Sequence, residues 1–544
     1  RFSVASRSLS IGIDDMVIPP RDFGWKLKSA GYDGILVLGK AEEAQCLYIS
    51  DGRVELRPAT TLWGKDTYQI VDELRREVGN ESSVLAIGQA GENLVSYACL
   101  INDKRNAAGR TGLGAVMGSK KLKAIVVQAE GKPEFAHPQG LDELRETLWD
   151  RLKKSRLTQG LKLFGTDIGM AGGGWSGDVP IKNWQKGSWD EGCHNLDGRK
   201  MAETILTGAE ACYGCPIECK RVVRIDKGSF QLEEGPGPEY ETVASFGTML
   251  LIDNLEAVAK ASELCNRYGM DTISCSATIA FAMECFEHKL ISISDTAGMD
   301  LSWGNAKAVI KLVQKISKRE GFGDLLAKGS RAASQQIGGN SCDFLVEVKG
   351  LELPMHDPRA YHGMGLAYAV SNRGACHVNS LNMSLFDDYQ RKSSQGKAYL
   401  NVKSQDLGSI FNSACICIIA GTSFTEEEIL KALNYSTGFG YALNELMTAG
   451  ERIWLLKRGI NNLFGVTKAN DRLPKRILTP TSEGGAAGSI PDIDMMLEEF
   501  YQLRGLDEQG RPQREKLEKL GLADLAEQIQ RHKEAQRKKG VTNG

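Results

Sequence analysis

Gln45-Cys-Leu-Tyr-Ile-Ser50 runs into the turn Asp51-Gly52 and leaves along Val54-Glu-Leu-Arg57. Period-two alternation on both sides of an Asp-Gly pair marks a β-hairpin, because those two residues accept the positive φ of a tight hairpin turn. Working outward, Gly34-Ile-Leu-Val-Leu-Gly39 reads as a preceding strand, and Val84–Gly88 and Lys123–Gln128 as following ones. Residues 34–127 are therefore expected to be β-rich.

Beyond about Lys132 the apolar period changes to 3.6. Helices are expected over 140–157, 254–268, 274–287, 304–319, 322–337, 425–434, 438–460 and 511–535, several opened by Ser, Thr or Asp caps. At 544 residues the chain exceeds the size at which one core keeps growing. The expected class is α+β, with an N-terminal β-sheet domain over 1–132, a mainly α-helical domain over 133–343 and a second over 344–544. Gly169–Gly177, Glu233–Pro238 and Ser482–Gly488 interrupt the helical pattern, and the last is expected to be an exposed loop. The charged amphipathic tail from Arg511 reads as a solvated surface helix.

Lys and Arg total 67 against 69 Asp and Glu, a net charge of −2, which excludes nucleic acid binding through a basic surface. No run approaches the roughly 20 apolar residues that cross a bilayer. Thirteen cysteines are too sparse for a disulfide scaffold, and Cys265, Cys275 and Cys285 sit singly in apolar helical segments. A soluble protein of the reducing cytoplasm is expected. The chain starts at Arg1 without a signal pattern, so its first domain is read as incomplete.

The sharpest chemical signal is Cys212-Tyr-Gly-Cys215-Pro-Ile-Glu-Cys219. Three thiols in so short a loop suit three corners of an iron–sulfur cubane, whose fourth ligand must come from elsewhere. The alternatives are three buried free thiols, or a zinc site completed by a distant residue, although a second CxxC is absent. Asn106-Ala-Ala-Gly-Arg-Thr-Gly-Leu-Gly-Ala-Val-Met-Gly118 has glycines spaced to let backbone amides approach an anion, yet matches neither a Walker loop nor GxGxxG. It reads equally as a turn-rich connection. Glu239, Glu241, His356, Arg359, His362 and His377 are polar groups in apolar context, each a general acid–base candidate or a satisfied structural hydrogen-bonder.

Together these motifs resemble the aldehyde ferredoxin oxidoreductase family, from about Phe23 to Met495–Gly505. Ala30–Gly34, Ile87–Asn93 and Gly109–Ala124 resemble its N-terminal β-sheet domain, the base on which a pterin sits. The resemblance implies a tungsten or molybdenum bis-pterin beside a [4Fe–4S] cluster, with magnesium bridging the pterin phosphates. Cys212, Cys215 and Cys219 match three cluster ligands. The family's DxxGLC motif matches Asn412-Ser-Ala-Cys-Ile-Cys417, which makes Cys417 the fourth ligand, with Cys415 as the fallback.

A related DxxGL motif resembles Asn266-Arg-Tyr-Gly-Met-Asp271. Both motifs carry Asn in place of Asp, keeping an acceptor but losing a charge. The residues so matched to the pterin are Arg110, Gly112, Gly114, Asn266, Gly269, Asp271, Asn412 and Ile416. Val17-Ile-Pro-Pro-Arg-Asp-Phe-Gly24 departs from the family's glycine-rich loop, because Pro19 and Pro20 remove two backbone donors. Either this loop has moved away or Arg21 substitutes with its own charge.

Glu241 falls at the family's active-site carboxylate and His377 at its active-site histidine. The resemblance gives Glu241 the activation of water or the substrate proton, and His377 a hydrogen bond to the carbonyl oxygen. It implies oxidation of a small aldehyde to its acid, with ferredoxin or a similar carrier as acceptor. Reduction of an aromatic or acyl-CoA substrate is a neighbouring reading, and a non-catalytic paralogue binding zinc or an orphan cluster is a third. The resemblance also allows a homodimer or extra electron-transfer subunits.

Overall fold

The computed structural model describes residues 2–7, 13–18, 22–381 and 390–541. Pro19, Pro20 and Arg21, on which the expectation about the altered loop rests, lie outside them.

The hairpin Gln45–Ser50/Arg53–Pro58 forms as expected and sits at one edge of a six-stranded sheet. Across the sheet follow Leu122–Val127, Ser83–Ala86, Leu100–Asn102 and Asn106–Ala108, all antiparallel except the pairing of Gln45–Ser50 with Leu122–Val127. Leu122–Val127 is buried along its whole length, as a central strand covered on both faces must be. One face packs on Phe23, Leu27, Leu113 and Met117, the other on Ile70, Val71 and Leu74.

Two expectations for this region are corrected. Gly34–Gly39 forms no strand; Ile35 and Val37 lie against the core while Leu36 and Leu38 are more than three-quarters exposed. Alternation recorded burial of one side without a neighbouring strand to bond. Thr67–Val78 is a helix where only strands were expected, started by Asp66, whose side chain accepts from Gln69 N while Gln69 reciprocates.

The rest is mainly helical, and the α+β expectation holds. Expected helices appear as Pro138–Lys154, Leu255–Tyr268, Thr272–Glu287, Ala306–Lys318, Glu426–Thr437 and Leu443–Leu463. Thr272–Glu287 has no polar face and is buried all round, the mark of a helix inside a large core. The span 322–337 breaks at Gly329 (φ +86°), and the C-terminal helix breaks at Gly521 (φ +72°). Gly169–Gly177, expected as an interruption, contains the helix Met170–Ser176.

Strands that the sequence reading did not place also occur in this mainly helical part: Leu206–Glu210, Lys220–Ile225 and Leu232–Pro236 form a three-stranded antiparallel sheet. Ser482–Gly488 is only partly an exposed loop. A Cβ on Gly187 would lie 2.0 Å from Glu483 O and one on Gly485 2.3 Å from Trp175 O, so this loop packs against the 175–187 segment. The largest hydrophobic cluster runs from Ala90 to Ile529 and includes residues on both sides of position 343.

Candidate active site

The three-cysteine segment is the connection between strands Leu206–Glu210 and Lys220–Ile225. A turn closes it, with Cys215 N donating to Cys212 O (3.1 Å) and Gly214 in the left-handed region (φ +66°). Cys415 and Cys417 lie between the helices Lys397–Ser413 and Ile418–Gly421, where Cys415 itself is left-handed (φ +55°). All five cysteines line one cavity of about 1230 Å³, walled also by Trp25, Trp149 and Phe424.

Cys219 is pushed up to about 12, by burial first and then by Glu239, with Cys417 and Cys212 adding to it. A thiol held like that of Cys219 stays protonated until a cation replaces the proton. Among the described residues no group of three or more His, Cys, Asp or Glu is placed to hold a single metal ion. A set of thiols spread round a cavity of this size suits a cluster better than one tetrahedral zinc, whose sulfurs would all stand about 2.3 Å from one point.

Glu239 and Glu241, adjacent in the sequence reading, are separated by the fold. Glu239 caps the backbone turn into the helix Tyr240–Phe246 and faces the cysteine cavity. It accepts from Lys220 Nζ (2.8 Å) and from Thr166 Oγ1 (2.8 Å). Glu241, in the first turn of that helix, faces two imidazoles instead. Its Oε2 accepts from Met355 N (2.8 Å), while Oε1 stands 3.4 Å from His377 Nε2 and 3.6 Å from His356 Nε2.

Glu241 Oε1 and His377 Nδ1 are both buried without a hydrogen-bond partner. Buried polar atoms are nearly always satisfied, so two orphans on neighbouring side chains mark a place where a ligand belongs. Burial raises the Glu241 carboxyl above its ordinary value, opposed by His356, the Met355 amide and Arg110. Burial also holds His377 well below an ordinary imidazole, so it is neutral near pH 7.

Arg110 brings the glycine-rich segment to this site. Its Nε pairs with Asp271 Oδ2 at 2.9 Å, and its Nη2 donates to Glu352 O. Its charge acts on both Glu241 and His377. Gly112 (φ +81°) starts the short helix Leu113–Ser119. Gly114 is glycine for packing: its N–H is bonded to Ala98 O (2.9 Å), and a Cβ there would lie 2.5 Å from Cys99 O. Its own amide is therefore not free for an anion.

Asn266–Asp271 links two helices. Gly269 (φ +71°) closes Leu255–Tyr268, and the Asp271 carboxylate caps Thr272–Glu287 by accepting from Ile273 N and Ser274 N. Asn266 contributes its backbone oxygen, which accepts from Thr67 Oγ1 (2.8 Å). Asn412 Nδ2 donates to Asn379 Oδ1 (3.2 Å), tying the Cys417 segment to the His377 segment, and Ile416 packs in a small cluster with Phe411. His362 lies elsewhere, between Ser394 Oγ (2.8 Å) and Ser489 Oγ (2.9 Å), and Arg359 is a buried structural partner of Asp357.

Asp178 escaped the sequence reading. Its Oδ2 stands 2.7 Å from His356 Nδ1, across 178 residues of chain. Its position directly after the glycine-rich stretch carries no signal of that partner.

A sheet base joined to a helical body, with gathered thiols on one side and a carboxylate–imidazole pair on the other, is the arrangement of an α+β oxidoreductase. The model for the N-terminal domain of aldehyde ferredoxin oxidoreductase matches residues 18–129, and that for its domains 2 and 3 matches 143–522. The tungsten-containing aldehyde ferredoxin oxidoreductase of Pyrococcus furiosus is 37% identical over 536 residues, 96% of this chain and 87% of that protein. That of Thermococcus kodakarensis is 35% identical over the same shares. The aliphatic sulfonate oxidoreductase WOR-like subunit of Pyrococcus furiosus is 30% identical over 94% of this chain and 84% of its own length. The BamBC active-site complex of benzoyl coenzyme A reductase, solved with 1,5-dienoyl-CoA, superimposes with a TM-score of 0.81 over 97% of this chain and 87% of that one. At 21% identity it speaks to the fold alone. The chain belongs to the aldehyde ferredoxin oxidoreductase family.

Proposed function

We propose that this protein oxidises aldehydes to carboxylic acids at a tungsten or molybdenum bis-pterin centre and passes the electrons through a [4Fe–4S] cluster to a ferredoxin-type carrier. The observation that carries the reading is the meeting of Cys212, Cys215 and Cys219 with Cys417, from distant parts of the chain, on one cavity. Thiolate is the ligand that such clusters require. The donor set therefore fits the cluster, and the orphaned Glu241 Oε1 and His377 Nδ1 fit a ligand-filled site beside it.

When bound, the dithiolene-held metal supplies the two-electron step and the cluster passes electrons on singly. The chain supplies the rest. Glu241 Oε1 accepts the proton from the attacking water or the substrate, and the neutral His377 donates a hydrogen bond to the carbonyl oxygen. Arg110, beside both, favours negative charge in this region, and with Asp271 it fixes the edge of the cofactor site on the sheet domain. Gly112, Asn266, Gly269, Asn412 and Ile416 shape the remaining wall around the pterin. Lys220 and Glu239 hold the three-cysteine segment against the body of the protein.

The test is elemental and cofactor analysis of protein purified without oxygen. About four irons with one tungsten or molybdenum and extractable pterin per chain is the expected result. Stoichiometric zinc without pterin overturns the reading. Aldehydes and aromatic thioesters assayed on the same sample then separate oxidation from low-potential reduction.

A further inference from the structure

The two imidazoles that face Glu241 are unlike. His377 faces the Glu241 carboxylate alone (3.4 Å), whereas His356 is held from behind by Asp178 (2.7 Å) and in front by Glu241 (3.6 Å). The Tyr240 ring stacks on His356 at 5.0 Å and 23°, and the His377 ring lies 5.6 Å away. The backbone around it is pinned as well. Tyr240 Oη donates to Met355 O (2.8 Å), Tyr368 Oη to His356 O (3.1 Å), and Asp357 N to Asp178 O (2.8 Å). A side chain fixed by so many contacts and aimed at an unsatisfied carboxylate oxygen is placed for electrostatics.

We propose that Asp178 and His356 form a positioning pair: Asp178 holds His356 as an imidazolium whose charge favours the ionised form of Glu241 and the neutral form of His377. This rests on the aldehyde-oxidising reading only for the roles of Glu241 and His377; the pair itself is a statement about the fold. The groups around it agree. Burial pulls the His356 imidazole down, but Asp178 and then Glu241 lift it to about 9, so it is charged at neutral pH. His377 is driven the other way, by burial first and then by His356, Arg110 and Arg373. Glu241 faces the charges of His356 and Arg110 on the favourable side and Asp178 on the unfavourable one, beside the neutral His377, with His356 its strongest opponent of protonation. An opposite charge at this range lowers a carboxyl pKa by about 1 to 3 units.

The experiment combines ¹⁵N-histidine NMR of the full chain, from about pH 5 to pH 9, with the pH profile of kcat/KM for aldehyde oxidation by the holoenzyme. Signals are assigned by their loss in His356→Gln and His377→Gln. The His356 ring is expected to stay doubly protonated through neutral pH, and its titration to fall by about 1 to 3 units in the near-isosteric Asp178→Asn. In His356→Gln the acid limb of kcat/KM is expected to move up by a similar amount, whereas a merely structural histidine lowers activity without moving the limb.

A His356 titration unchanged in Asp178→Asn overturns the pairing, and an unmoved acid limb in His356→Gln overturns the influence on Glu241. Should His356→Gln not fold, Asp178→Asn serves for both, because it lowers the basic limb by uncharging His356. If the wild-type protein oxidises no aldehyde, the functional reading fails, while the imidazole titrations still decide the pairing.

Discussion

Arg110 Nε lies 2.9 Å from Asp271 Oδ2, joining the glycine-rich segment of the sheet domain to the residue that caps the helix Thr272–Glu287. Both side chains are buried, 7% and 4% exposed, so neither charge has water to fall back on. Asp271 does two things at once: it neutralises Arg110 and satisfies two amides at the start of a largely buried helix.

Asp271→Ala removes both functions and leaves a buried guanidinium without its carboxylate. Breaking a buried pair from one side costs about 3–5 kcal/mol. The denaturation midpoint is therefore expected to fall markedly, and cofactor content with it. Asp271→Asn keeps an acceptor for the cap and is expected to lose less; equal losses in the two variants would show that the charge, not the cap, matters.

Glu241→Gln is expected to lower kcat by about 10² to 10⁴, the usual contribution of a positioned proton acceptor, with little change in thermal stability. Its Oε2 bond to Met355 N can be kept by the amide oxygen, so the fold has no reason to suffer. Near-normal turnover in a correctly loaded Glu241→Gln enzyme sinks the assignment.

How much of this was legible in the sequence follows from how local each feature is. The hairpin at Asp51-Gly52, the long helices and the CxxCxxxC segment were readable because their signals lie within a few residues. The helix Thr67–Val78 left a local signal in Asp66 and Gln69, but the surrounding strands masked it. Gly34–Gly39 misled because Ile35 and Val37 turn to the core without a strand to pair with. The division of labour between Glu239 and Glu241 was not readable, since it depends on Lys220 on one side and His356 on the other. Asp178 belongs to the same class: its partner is 178 residues away and nothing nearby announces it.

His362 gives a pH dependence that is separable from the active site. It sits neutral between two serine hydroxyls, and burial, Lys397 and Lys392 hold it at about 4 instead of the ordinary 6.5. The unfolded chain binds this proton more readily than the folded one, so the stabilisation is complete above about pH 6.5 and is lost as pH falls towards 4. After allowance for solvent screening this amounts to about 1–2 kcal/mol. Denaturation midpoints measured across that window should fall in the wild type and flatten in His362→Gln; the same slope in both would assign the effect to other groups.

The cluster ligand set is the most direct of these tests. Cys417 and Cys415 both reach the cavity of Cys212, Cys215 and Cys219, but they differ in their backbone. Cys415 is left-handed (φ +55°), while Cys417 is extended and opens the short helix Ile418–Gly421 by accepting from Gly421 N (2.8 Å). Cys417 is among the charges that raise Cys219. Cys417→Ser and Cys215→Ser are therefore expected to lose the visible cluster absorption together with activity, and Cys415→Ser to keep the absorption. Loss in Cys415→Ser with retention in Cys417→Ser would exchange the two assignments, and iron retained at full stoichiometry in Cys215→Ser would remove the three-cysteine segment from the ligand set.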